Sequence, residues 1–279
     1  LSEKAMLAAA STAATIASAS GKKPASRFVP PKTENYYPVT RLLSSVPLES
    51  KLPLVRAVNE KCFSLSPQVR KVMVNFYDQE RRLLVVTSDG IKAEDLQPRS
   101  YLSSTVVAEK NGRWERSGWN YGGRRDFSYY TPALVQELAQ KAVDRTLVLF
   151  EAIQPPAGEM PVVLGPGVTG VLLHEAIGHG MEADFNRKKI STYCTMLGKK
   201  VAEPFVTIID DGTVPYLTGS INFDDEGTPA QKTILVDKGI LTSYLHDRIS
   251  AHSYGVKSTG SGRRQSYQHY PIPRMRNTY

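Results

Sequence analysis

Apolar residues recur at two different spacings along this 279-residue chain, and the changes of period divide it into segments. Ser2 to about Ala17 is rich in alanine, the residue of highest helix propensity, and predicts a helix of small residues. Over residues 20–50 the periodicity is lost. Pro24, Pro30, Pro31 and Pro38 fix φ and remove donors there, so a linker is expected. Over 52–63, Leu54, Val55, Val58 and Cys62 form one helical stripe. The period then drops to two. Residues 69–77 and 82–88 predict strands joined near Asp78-Gln79-Glu80. Residues 101–109 and 113–119 predict a second hairpin, with Asn111-Gly112 supplying the positive-φ turn. Thr131 and Pro132 are the N-cap and first residue of a helix expected over 133–150.

A Pro- and Gly-containing break at 154–158 follows. Residues 161–164 read as a short buried strand, ended by Gly165-Pro166-Gly167, and 168–179 as a helix. A strand is expected over 205–210, a hairpin over 231–236 and 240–245 around Asp237-Lys238-Gly239, and a short helix over 247–254. Strand runs with antiparallel hairpins, separated by helices, predict an α+β fold with mixed or antiparallel sheets. Three segments are expected: an N-terminal helix and Pro-rich linker over 1–50, a middle α+β domain over 51–155, and a C-terminal domain over 156–279.

Composition narrows the class. Apolar residues make up 41% and charged residues 22%, which fits a globular protein with a sizeable core. No apolar run reaches the roughly 18–20 residues of a membrane span. The net charge of +8 favours acidic partners, nucleic acid included, at long range. The Lys and Arg pairs are scattered, however, which fits a generally basic enzyme better than a nucleic-acid tract. The two cysteines, Cys62 and Cys194, form no disulfide framework and no C-x-x-C zinc motif, so a reducing cytoplasm is expected. Cys194 follows the histidine motif and would be a third metal ligand or, more simply, a buried neutral thiol.

The densest chemistry is His174-Glu175-Ala176-Ile177-Gly178-His179, two imidazoles and a carboxylate within an apolar run. The common zinc-protease helix places its histidines four apart, leaving the side chains about 40° apart around the axis. Here they are five apart, which on a regular helix leaves about 140°. Two rings so placed cannot meet one metal. A widened π-type turn with i→i+5 bonding would bring them together. Gly178 is the residue expected to take unusual φ/ψ in that turn. With both rings on one metal, Glu175 would serve as the proton-transferring base of amide hydrolysis.

The stretch from Gly170 through His174, Glu175, His179, Glu182, Asp184 and Arg187 resembles the signature of the TldD/PmbA family of metallopeptidases, on its TldD-like branch. The likeness continues through Asp210-Asp211-Gly212-Thr213, Asp224 to Pro229, Thr259 to Tyr267 and Pro273 to Tyr279. The resemblance implies a two-domain TldD/PmbA-type architecture whose C-terminal domain is catalytic. It implies a zinc-dependent H-E-x-x-x-H peptidase acting on peptides or unfolded polypeptide, with His174 and His179 as ligands and Glu175 as catalytic glutamate. It also implies a homodimer, or a heterodimer with a PmbA/TldE-like subunit, and a third metal ligand, a cysteine, beyond Tyr279. Both ends of the chain would then be incomplete relative to the family.

Three further features carry expectations. Asp224-Asp225-Glu226 reads as a solvated turn with Asx-type bonds, or as a cation or substrate-amine site. Gly260-Ser261-Gly262-Arg263-Arg264 would grip a carbonyl or carboxylate, with Arg263 and His269 as candidate substrate-side residues. His246 and His252 read as structural. Two other classes compete: a nucleic-acid-associated regulator, for which no helix-turn-helix, zinc-finger or RNP pattern is present, and a non-catalytic partner subunit, which would not need the His/Glu motif.

Overall fold

A computed structural model describes residues 2–18, 27–167 and 169–279. Of the linker expected over 20–50, residues 20–26 lie outside the described residues. Helix α1 spans Glu3–Ser18. Helix α2 spans Leu48–Leu65, one turn earlier than its apolar stripe predicts, and Pro53 is carried inside it. A proline so near the start of a helix removes only a single i→i−4 bond.

A three-stranded antiparallel sheet follows, ordered β1 (Val69–Val86), β2 (Lys92–Lys110), β3 (Arg113–Gly123). The turn expected at Asp78-Gln79-Glu80 does not exist. The first strand runs straight through it, with Asp78 opposite Ser100 and Glu80 opposite Pro98. Those polar side chains are recruited by neighbouring segments: Glu80 accepts from the Leu43 N–H, and Asp78 pairs with Lys51. The chain reverses instead at Thr87 to Gly90, where Gly90 takes φ 98°. The turn at Asn111 and Gly112 is as predicted, with φ 54° and 80°. Helix α3 (Pro132–Leu147) is capped by Thr131, whose hydroxyl accepts from the Leu134 N–H. Val58, Cys62, Leu102, Val106, Leu138 and Val143 close the first core between α2, α3 and the sheet.

Residues 161–164 form no strand. Val162 is 71% and Val163 97% exposed, and among the described residues no segment pairs with them. Their apolar character predicts burial that this chain does not provide. The motif helix begins as α4 (Gly170–Leu173), and α5 covers Ala183–Arg187. A second antiparallel sheet contains β4 (Ile208–Asp211), β5 (Lys232–Asp237) and β6 (Ile240–Leu241). The first of these strands is shorter than expected, and Phe205 before it is 88% exposed. Helix α6 (Arg248–Tyr254) starts on a capping box at Asp247 and ends on left-handed Gly255. The pair β7 (Gly262–Arg263) and β8 (Ile272–Pro273) completes the α+β fold. Met181, Ala183, Leu235, Val236, Leu241, Tyr244, Leu245 and Met275 form the second core.

Polar contacts join the two cores. Arg81 pairs with Asp225 at 2.9 Å, Asn222 donates to Asp95 at 2.9 Å, and Arg124 donates to the Ser220 carbonyl at 3.1 Å. Asp224 and Asp225 are therefore buried rather than solvated, which corrects the expectation for that turn. The Asx-type bonds are present, since Asp224 accepts from the Glu226 and Thr228 N–H groups. The backbone N–H groups of Gly262 and Arg264 are spent on Asp224 and Asp225.

Candidate metal centre

The five-residue spacing is resolved by a π turn over His174–Gly178, in which the His179 N–H bonds to the His174 carbonyl. The two rings meet edge to face with centroids 4.7 Å apart. One ligand atom each from His174, Glu175 and His179 lies within 4.8 Å of the others, and none of the three residues is buried. The widened turn was expected; the part assigned to Gly178 was not correct. Gly178 has φ −57° and ψ −50°, ordinary helical values. Glycine is required there by space: a Cβ would lie 2.0 Å from Met275 Sδ.

The turn is anchored from below. The Leu245 N–H donates to the Met181 carbonyl and the Ala183 N–H to the Leu245 carbonyl, both at 2.9 Å. The Gly180 carbonyl accepts from Asn186 Nδ2 at 2.8 Å and from Ser191 Oγ at 2.6 Å. These bonds fix the main chain that carries His179.

Glu182 completes the arrangement. Its carboxylate is buried, with Oε2 at 3.1 Å from His179 Nδ1. Against an ionised Glu182 carboxylate, which only accepts, Nδ1 is the donor, and Nε2 is left facing outward, 4.0 Å from Glu175 Oε2. Burial pushes the Glu182 carboxyl above its ordinary value; the bond from His179 and the charge of Arg274 oppose that shift. A histidine held this way by a carboxylate is the usual outer support of a metal ligand. The i, i+3 spacing of His179 and Glu182 was the available sequence signal for it.

The other candidates lie elsewhere. Arg263 donates to the Met275 carbonyl at 2.6 Å, so it braces the segment that follows β8. His269 is exposed and bonded to Ser266 Oγ at 2.8 Å, and its carbonyl accepts from Arg264. Neither belongs to the cluster of ligand atoms, and neither does a cysteine: Cys62 is buried beside Ser104 and Cys194 is half-buried. His246 is buried against Ser250, and burial lowers its pKa to about 4, which fits the structural part expected of it.

The fold and the cluster together define an α+β protein with a candidate metal centre on a π turn. Residues 41–150 match the PmbA/TldA metallopeptidase central domain and residues 157–279 its C-terminal domain, and the chain belongs to the TldD/PmbA family. It is 41% identical over 252 residues to a metalloprotease TldD homolog of Haemophilus influenzae, covering 87% of this chain and 52% of that protein. A metalloprotease TldD homolog of Buchnera aphidicola is 42% identical over 238 residues, 83% of this chain and 49% of its own length. The chain thus spans about half the length of these relatives. The fold is shared with a Thermotoga maritima crystal structure described as a modulator of a DNA gyrase, with TM-score 0.73 at 22% identity, covering 90% of this chain and 55% of that one. TldE from Thermococcus kodakarensis gives TM-score 0.70 at 19% identity, over 91% and 57% of the two chains.

Proposed function

We propose that this chain carries the catalytic turn of a metallopeptidase that hydrolyses amide bonds in peptides or unfolded polypeptide. The observation that carries the reading is the convergence of His174, Glu175 and His179 ligand atoms within 4.8 Å of one another. The donor set fits zinc, whose catalytic sites use imidazole and carboxylate ligands. His174 and His179 would hold the ion, the latter through Nε2 because Nδ1 is bonded to Glu182. Such an ion, when bound, supplies Lewis acidity and lowers the pKa of water toward roughly 7.

The chain's own residues supply the remainder. Glu182 orients the His179 ring. Glu175 is exposed, with Oε2 on the same side of the turn as His179 Nε2. As water adds to the amide carbon, Glu175 takes the proton on its carboxylate. It returns that proton to the amide nitrogen as the C–N bond breaks, so the products are a carboxylic acid and an amine. Cytoplasmic location, and assembly as a homodimer or with a PmbA/TldE-like subunit, belong to the same reading. Among the described residues no helix is long and apolar enough to cross a membrane.

The test is Glu175→Gln in the full-length protein. Peptide hydrolysis should fall to background while metal content and fold are kept. Retained hydrolysis would remove Glu175 from the role of base.

A further inference from the structure

Most cations near the π turn already have partners. Arg263 is spent on the Met275 carbonyl. Arg276 is enclosed with Asp210 at 2.6 Å, and Lys188 pairs with Asp184 at 3.3 Å. Arg274 differs from all three. It lies between Pro273 of the β7–β8 pair and Met275, whose sulfur abuts Gly178 in the motif turn. Its own N–H donates to the Ser261 carbonyl at 3.0 Å, so its main chain is fixed. Its guanidinium makes no hydrogen bond or ion pair among the described residues, and its Nε is buried. Glu182 lies near enough to respond to its charge, yet the Glu182 carboxylate is bonded to His179 and forms no ion pair with Arg274.

A guanidinium offers five donors in a rigid fork that matches a carboxylate. Leaving a buried N–H of such a group unpaired is costly. The terminal guanidinium nitrogens also make no hydrogen bond among the described residues and are not sealed as Nε is, so they remain to meet an acceptor.

We propose that Arg274 is a specificity-determining residue that binds a carboxylate of the peptide substrate beside the His174, Glu175 and His179 cluster. This rests on the peptidase reading above. The carboxylate comes either from the C-terminus of the peptide or from an acidic side chain, since both present the same fork-matching oxygens. Arg263 holds the segment after β8 that carries Arg274.

The experiment measures binding rather than turnover, in full-length protein carrying Glu175→Gln. The probes are three forms of one labelled, unstructured peptide: a C-terminal acid without acidic side chains, its amide, and the amide with a single Glu. Arg274→Ala should weaken binding of a carboxylate-bearing form by about tenfold or more and leave the plain amide within about twofold. Arg274→Lys, which keeps the charge but loses the fork, should recover part of the affinity. Loss on the C-terminal acid alone identifies the terminus as the source; loss on the Glu-containing amide identifies the side chain. Equal weakening of all three forms, no change in any, or no binding of either carboxylate form by Arg274 protein overturns the proposal. If Arg274→Ala does not fold, Arg274→Gln carries the same comparison. A protein that binds through Arg274 but hydrolyses nothing with Glu175 restored overturns the peptidase reading alone.

Discussion

Glu182 decides which nitrogen of His179 faces outward. Its buried carboxylate accepts from Nδ1 at 3.1 Å, leaving Nε2 free. Removing such an outer-shell carboxylate typically costs about 10–100-fold in metal affinity. Glu182→Gln should therefore weaken zinc binding by about that factor in a chelator competition, with the fold unchanged. Affinity equal to the parent protein would mean that Glu182 does not support the ligand. Gly178 makes the complementary point about shape. A methyl group there would lie 2.0 Å from Met275 Sδ. Gly178→Ala should destabilise the protein by about 1–3 kcal/mol through overpacking, read as a lower denaturation midpoint. A neutral result would show that Met275 moves aside freely. The π turn was legible from the sequence because a five-residue histidine spacing on a regular helix separates the rings. The reason for Gly178 was not, because Met275 comes from a distant segment and no local pattern announces that contact.

Among the elements, the ones read correctly were those whose boundaries are set by local chemistry. Asn111-Gly112 fixes a turn by positive φ, and Thr131-Pro132 starts α3 by capping. The reading failed where distant partners decide. Asp78 and Glu80 looked like turn residues, yet Lys51 and the Leu43–Ser44 segment hold them within one continuous strand. The loop of Asp224, Asp225 and Glu226 looked solvated, yet Asp224 and Asp225 are buried between the cores. That burial has a pH signature. Glu226 is shifted from its ordinary 4.5 to about 7, chiefly because burial disfavours its charged form. Between those values the folded state keeps a proton that the unfolded chain has released. Stability contributed by Glu226 is thus full below pH 4.5 and lost as pH rises toward about 7. Asp224, raised to about 6 by burial, acts in the same direction. The Tm of Glu226→Gln relative to the parent should therefore rise as pH increases across this window. A difference that stays flat with pH would contradict the shift.

For the whole molecule, two apolar cores meet across ion pairs and hydrogen bonds, with Arg81–Asp225 and Asn222–Asp95 among them. The α+β class followed from periodicity. The interface did not, because its polar residues look like surface residues until both cores are present. The motif turn rests on the second core through Met181 and Leu245, and the segment carrying Arg274 and Met275 passes beneath it. The central claim is that this scaffold brings His174 and His179 together on one metal ion. Anomalous diffraction from crystals of the full-length protein grown with zinc tests it most directly. The predicted result is one strong peak shared by Nε2 of His179 and a ring nitrogen of His174, with Glu175 beside it. A peak away from both histidines, or on only one of them, would contradict the account.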